Sequence, residues 1–209
     1  MNTRLVGLGA VVVFVVGCGT EQPAPTSYEI RVPLFAAGGN TDVNLGTHMT
    51  GNEEVFTPAT PGAPTPADSR GQGQAIFRVN EDGSVDFRLM ATNIDNIIMS
   101  HIHCGRFGQN GPIRMWLYPV IGPSGAPGPN GSGRHDGELA SGTFSPAGVV
   151  CPASAVGQDM PLLDAMRAGL TYVNVHTNDG VAPTNAGPGD FPGGEIRGQL
   201  DHASSHGNN

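Results

Sequence analysis

The sequence predicts an all-β domain, an immunoglobulin-like or Greek-key β-sandwich or barrel with one short helix and long Gly/Pro-rich loops. Several short runs alternate apolar and polar residues with the period of two that a half-buried strand requires. Glycine and proline, 32 and 18 in number, gather between those runs instead of inside them. Only one stretch, 160–168, carries a helical pattern. Many short strands bounded by turn residues favour a sandwich or barrel over any helical layer structure.

In chain order, strands are expected at 28–35, 43–50, 74–79 and 84–91. In 74–79 the residues Ala75, Phe77 and Val79 share a face, and in 84–91 so do Val85, Phe87, Leu89 and Ala91. Asn80, Glu81, Asp82 and Gly83 join these two runs as a tight turn, with Gly83 free to take positive φ, so they form a hairpin. Further strands are expected at 100–104, 113–118, 138–144, 170–177 and 195–200. The helix is bounded by Asp159 as cap, Pro161 in the first turn and Gly169 just past its end, with Leu162, Leu163 and Met166 on one face. Loops fall at 57–70, 119–137 and 178–194.

The N-terminus reads as an export signal. Residues 1–17 hold one positive charge at Arg4, a short apolar run and a small residue, Gly17, before Cys18. The run is shorter than the roughly 20 apolar residues a membrane span needs. The Val-Val-Gly-Cys ending resembles the bacterial lipobox, which implies lipidation at Cys18; the alternative is an ordinary secretory signal with an incidental cysteine. Residues 18–27 then form a polar tether, 28–200 the β domain and 201–209 a disordered tail. The resulting expectation is an exported, lipid-anchored chain in the outer membrane and periplasm or at the cell surface, with a membrane as partner through the lipid. Net charge is −8 and charged residues make up 13% of the chain, which argues against nucleic acid as a partner. Assigning Cys18 to lipid leaves Cys104 and Cys151 as one pair in an oxidising compartment. Two free thiols, or a thiolate metal ligand at Cys104, are the competing readings.

The sharpest chemical feature is His101-Ile102-His103. On a strand, side chains at i and i+2 share a face, so the two imidazoles stand together while Ile102 and Cys104 face the other way. In 172–176, Val173 and Val175 take one face and leave His176 with Tyr172 and Asn174 on the other. If these strands are neighbours, His101, His103 and His176 converge, and three neutral imidazoles with an open position suit one copper or zinc ion. The plainer reading is that such histidines hydrogen-bond a carbonyl and bind nothing. Glu195 and Arg197 share a face with Gln199, either as contacts to a ligand near the histidines, together with Tyr172 and Asn174, or as an ion-paired strand. No phosphate loop, dinucleotide fingerprint, paired-cysteine zinc motif or nucleophile elbow occurs in the sequence.

The words Gly51-Asn52-Glu53-Glu54-Val55, the stretch 73–86, HIHCG at 101–105, NGPI at 110–113, LTYVNVHT at 170–177 and GGEIRGQL at 193–200 resemble, in this order, the CHRD domain, the module named after chordin. The resemblance covers 43–200. It implies an extracytoplasmic all-β sandwich or barrel and no settled biochemical role for microbial members. The chain departs from the common pattern at Phe56, in the Pro-rich insert 57–70 and at Cys104, whose presence in the HIH word suggests a staple to Cys151. A weaker similarity, to copper-zinc superoxide dismutases, rests on the H-x-H pair; 106–112 lacks a histidine to bridge a second metal. The expected function is a surface binding or adhesion module for an unknown protein or small ligand, with no catalytic residues assigned. The alternative is a mononuclear copper or zinc protein, a metal carrier or superoxide dismutase-like oxidoreductase, on the three histidines.

Overall fold

A computed structural model describes residues 44–119 and 133–202. The signal peptide, Cys18, the tether and the strand expected at 28–35 lie outside the described residues. What is described is a largely antiparallel β-structure. Strands β1 (Asn44–Thr50), β2 (Gln72–Val79) and β3 (Val85–Asp95) form a meander. The chain then crosses to β4 (Ile97–Cys104) and β5 (Ile113–Tyr118) and returns as β6 (Arg134–Phe144) beside β3. Two short strands, β7 (Val150–Cys151) and β8 (Met160–Pro161), pair with each other. Helix α1 (Ala153–Val156) lies between them and α2 (Leu162–Arg167) follows. Strand β9 (Thr171–Thr177) joins β4, β10 (Ile196–Gln199) joins β9 to β1, and β11 (Asp201–His202) extends the pairing along β1.

The strand order β5-β4-β9-β10-β1-β2-β3-β6 brings its two ends, β5 and β6, into contact, so the sheet nearly closes on itself. The alternation implied a sandwich or barrel, and the nearly closed sheet is the barrel form. A single residue, Asn96, separates β3 from β4, yet the two strands are not neighbours. Asn93 and Asn96 both take φ of 54°, and there the chain turns the corner from one half of the barrel to the other. Inward-facing Leu45, Phe77, Phe87, Leu89, Ile102, Val173, Val175 and Ile196 are buried and fill the interior.

The hairpin forms as its turn residues dictate, with Asn80 N–H donating to Ser84 O at 2.8 Å and Gly83 at φ 82°. Strands β3 and β6 run longer than the alternation indicates. One bulge lies in β6 at Leu139, opposite the Leu89–Met90 step, and one in β3 between Ala91 and Ile94, which breaks the period of β3 while pairing continues to Ile94 with His135 and Asp95 with Arg134. The helix is shorter than expected, because Met160 and Pro161 are drawn into β8. Asp159 does not cap α2; its carboxylate accepts from Ala153 N at 2.7 Å and holds the start of α1 instead, so two helical turns stand where one was expected. Gly169, at φ 68°, does follow the last turn of α2. Within the tail expected to be disordered from 201, Asp201 and His202 instead pair with Gly46 and Leu45, and 203–209 lie outside the described residues.

Cys104 at the end of β4 and Cys151 in β7 form a disulfide with their Cα atoms 5.5 Å apart, both residues wholly buried. The bond ties the β7, β8 and helix segment to the barrel wall. Neither a free thiol nor a thiolate ligand remains at Cys104. The sulfur lies on the apolar side of β4, away from the histidines. For a sequence separation of 47, chain entropy assigns the bridge a stabilisation of about 4 kcal/mol. Replacing both cysteines by alanine should lower the denaturant midpoint by a corresponding amount, read by comparing urea melts of variant and parent, while the far-ultraviolet spectrum stays that of a β protein.

Candidate metal centre

The outward face of β5, β4, β9 and β10 is polar by alternation, and register lines it up in two rows across the strands. Trp116, His101, Asn174 and Arg197 are successive partners in one row, and His103, Tyr172 and Gln199 in the next. His176 stands one step further along β9, opposite Met99. This face is outward only with respect to the barrel. Loops cover it, and His101, His103 and His176 are 0%, 7% and 5% exposed. A second layer, built of polar side chains, is therefore buried on the barrel wall.

Each loop is held by a residue of that layer. Arg197 donates to Asn110 Oδ1 at 3.1 Å and Gln109 O at 2.9 Å, and its guanidinium lies 3.4 Å over the Tyr172 ring. Gln199 donates to Gly105 O and Gly169 O. Glu195 accepts from Ser69 Oγ, Thr177 Oγ1 and Gly189 N, which joins the Pro-rich insert to the 178–194 loop. Glu195 and Arg197 thus share a face as expected, but each fixes a loop, and among the described residues they are not ion-paired with each other. Phe56 packs edge-on against Phe191 with centroids 5.7 Å apart.

The three histidines converge. Their candidate donor nitrogens all lie within 4.8 Å of one another, and His101 Nδ1 is 3.2 Å from His176 Nε2. Nitrogens bound to one tetrahedral ion at about 2.0–2.1 Å lie roughly 3.3 Å apart, so this pair already has ligand spacing. His103 is the more distant ring, 5.5 Å and 6.1 Å by centroid from the other two. Closing the widest separation, up to 4.8 Å, to tetrahedral spacing takes up to about 1.5 Å.

Tautomers follow from the partners. His103 Nδ1 lies 2.8 Å from Gly111 O and His176 Nδ1 lies 2.9 Å from Pro192 O. A carbonyl only accepts, so both Nδ1 atoms carry the proton and both Nε2 atoms present a lone pair. His101 Nδ1 then donates to His176 Nε2, and the Nε2 atoms of His101 and His103 are buried without a partner. Burial also holds all three rings neutral. It lowers His103 and His176 to about 4, and His101 further still with help from His176 and His103. Neutral rings whose back nitrogen is anchored on a carbonyl are the form in which histidine binds a metal. Around them, the His101 ring stands edge-on to Trp116 at 4.2 Å and His103 stacks on Tyr172 at 4.8 Å.

Two residues of this layer were not singled out in the sequence. Trp116 is visible in retrospect from the alternation of 113–118. Glu54 follows the 3-10 turn Gly51–Glu53, outside any periodic segment, and its one signal was its place in the GNEEV word. Burial raises its carboxyl to about 7, against the opposing pull of Arg197 and a hydrogen bond from Asn174. Glycine is required at Gly111, where a Cβ would collide with Cys104 O, because the loop that supplies the His103 acceptor passes directly over β4.

Residues 45–200 match the CHRD domain family. The chain belongs to that family. Comparison with curated proteins and with solved structures gives no significant match. The histidine layer of this CHRD domain is built from the HIHCG, LTYVNVHT and GGEIRGQL words, so the stretches that carry the resemblance are also those that form the site.

The shifts set a pH dependence for the metal-free domain. Histidines that stay neutral in the fold but protonate near 6.5 when unfolded remove stability as pH falls from 6.5 toward 4. Glu54 acts oppositely, since the fold keeps its proton up to about 7 while the unfolded chain releases it near 4.5. With three histidines against one acid, the thermal midpoint should rise from pH 4 to 6.5. It should then sag slightly toward pH 8 as Glu54 finishes ionising, which a series of thermal melts in metal-free buffers would record.

Proposed function

We propose that this CHRD domain holds one zinc or copper ion on His101, His103 and His176, on an exported chain anchored to a membrane by lipid at Cys18. The observation that carries the metal reading is the convergence of three buried, neutral imidazoles, two of which have an unpartnered buried nitrogen. Buried polar atoms of this kind are costly to leave unsatisfied; an ion on His103 Nε2, His176 Nε2 and His101 Nδ1 would satisfy His103, with the His101 proton passing to its own Nε2. A zinc ion there would cross-link β4 to β9 and, through Gly111 and Pro192, stiffen both covering loops. A copper ion would add redox capacity. The burial of the rings favours retention of the ion over turnover of a substrate at it. Export and lipidation rest on the N-terminal sequence, and they suit a disulfide-bonded domain.

The second reading, a surface binding or adhesion module, has its own support. Phe107 and Val181, on the two loops that give carbonyls to His103 and His176, are 75% and 63% exposed. A partner recognised there would meet the loops and not the ion.

Metal analysis of protein folded in an oxidising compartment with zinc and copper supplied should find close to one equivalent of metal. The His101→Ala, His103→Ala, His176→Ala triple variant should find none while keeping the disulfide. Trp116 is the chain's single tryptophan, so copper(II) should quench the emission of the parent and leave that of the triple variant unchanged. Parent protein that is folded and metal-free under these conditions would remove the metal reading and leave the adhesion reading in place.

A further inference from the structure

The flank of the triad is set by Asn174. Its Oδ1 lies 2.9 Å from His176 Nε2, and across the β4–β9 pair it stands directly opposite His101. Because His176 Nδ1 holds its proton on Pro192 O, the Nε2 it turns toward Asn174 is a lone pair. A carbonyl oxygen and an imidazole lone pair thus face each other. Alone that contact is repulsive; with a cation beside both atoms it becomes attractive. The opposite amide orientation would put an N–H on His176 Nε2 and cap the nitrogen a metal needs.

Glu54 selects between the two orientations. Its carboxyl and Asn174 Nδ2 converge over Gly194, where φ is 132° and a Cβ would run into both. Asn174 hydrogen-bonds the Glu54 side chain, and Glu54 Oε1 is sealed from solvent with no partner of its own. A carboxylate only accepts, so an ionised Glu54 requires the amide to present its NH2 to it and its oxygen to the histidines.

We propose that Glu54 is the positioning carboxylate of the histidine site, holding Asn174 with its oxygen toward the ligand nitrogens and supplying the negative charge that a buried cation on neutral imidazoles lacks. The inference rests on the metal reading above. Charge in the layer supports it. Arg197, 1% exposed, already places one positive charge over Tyr172, so an ion would add further positive charge beside it. Glu195 is buried too, but both of its oxygens are engaged by Ser69, Thr177 and Gly189. Glu53, from the turn that precedes Glu54, acts on Arg197. Glu54 is the carboxylate that reaches the amide beside the ligands. Partners of this kind, one bond removed from a ligand, commonly change metal affinity by about 10–100-fold when replaced.

The test is titration of purified parent and Glu54→Gln with zinc ion against a chelator, with cobalt(II) as a spectroscopic probe. E54Q should bind zinc about 10–100-fold more weakly, with shifted cobalt visible bands. Its metal-free thermal midpoint at pH 8 should equal or exceed that of the parent, because a neutral amide avoids burying charge. A merely structural role would lower the midpoint instead. If E54Q does not fold, Glu54→Asp, which keeps the charge but falls a methylene short, serves the same purpose; weaker zinc binding supports the proposal. Unchanged affinity and an unchanged cobalt spectrum in the folded variant would overturn the proposal while leaving the metal reading intact. A parent that binds neither ion would overturn the metal reading itself.

Discussion

The pairing of β4 with β9 is the interaction on which the rest of this molecule depends. Antiparallel register places Ile102 and Val173 together on one side of the sheet and His101 and Asn174 together on the other. One side completes the barrel core. The other would be an ordinary wetted surface if it carried short polar residues. Instead it carries histidine, tyrosine, asparagine and arginine, and three loops fold down over it. Each loop carbonyl that comes to rest there meets a donor, Arg197 for 106–110, His103 for Gly111 and His176 for Pro192. The covering loops, rich in glycine and proline, have little apolar surface with which to dock. Hydrogen bonds to this polar layer therefore fix their positions, and a one-residue slip of β9 against β4 would turn the layer into the core.

How much of this was legible in the sequence follows from the same alternation. Strands with an unbroken period of two, such as 74–79 and 170–177, could be placed within a few residues, and with them the facing of His101, His103 and His176. The extension of β3 past Ala91 could not, because the bulge between Ala91 and Ile94 resets the phase there. The role of Asp159 could not either. A carboxylate before a helical pattern reads as its cap, and only the tertiary return of 150–161 shows that it serves the preceding turn. Glu54 was hidden for a different reason. Its contribution depends on a loop carrying it to Asn174 over a distance of 120 positions in sequence, and no local pattern encodes that approach.

The site also explains two sequence features that local rules left as oddities. Glu195 and Arg197 look like an ion pair on a short strand, yet each secures a different loop, so the strand's two charges act at a distance from each other. Cys104, inside the histidine word, belongs to the opposite side of β4 and ties the helical segment to the core without entering the polar layer. The histidine word thus serves two layers at once. Its outward residues form the buried polar site, and its inward residues, Ile102 and Cys104, anchor the wall that holds them in place.

The central claim is that burial keeps three imidazoles neutral, and that carbonyls of the covering loops hold the protons of His103 and His176 on Nδ1, leaving their Nε2 lone pairs within the buried layer. The most direct measurement is long-range proton-nitrogen correlation NMR of the histidine rings in metal-free protein across pH 5 to 8. His103 and His176 should appear as neutral Nδ1–H tautomers that do not titrate in that range. Rings that titrate near pH 6.5, or that carry their proton on Nε2, would contradict the account.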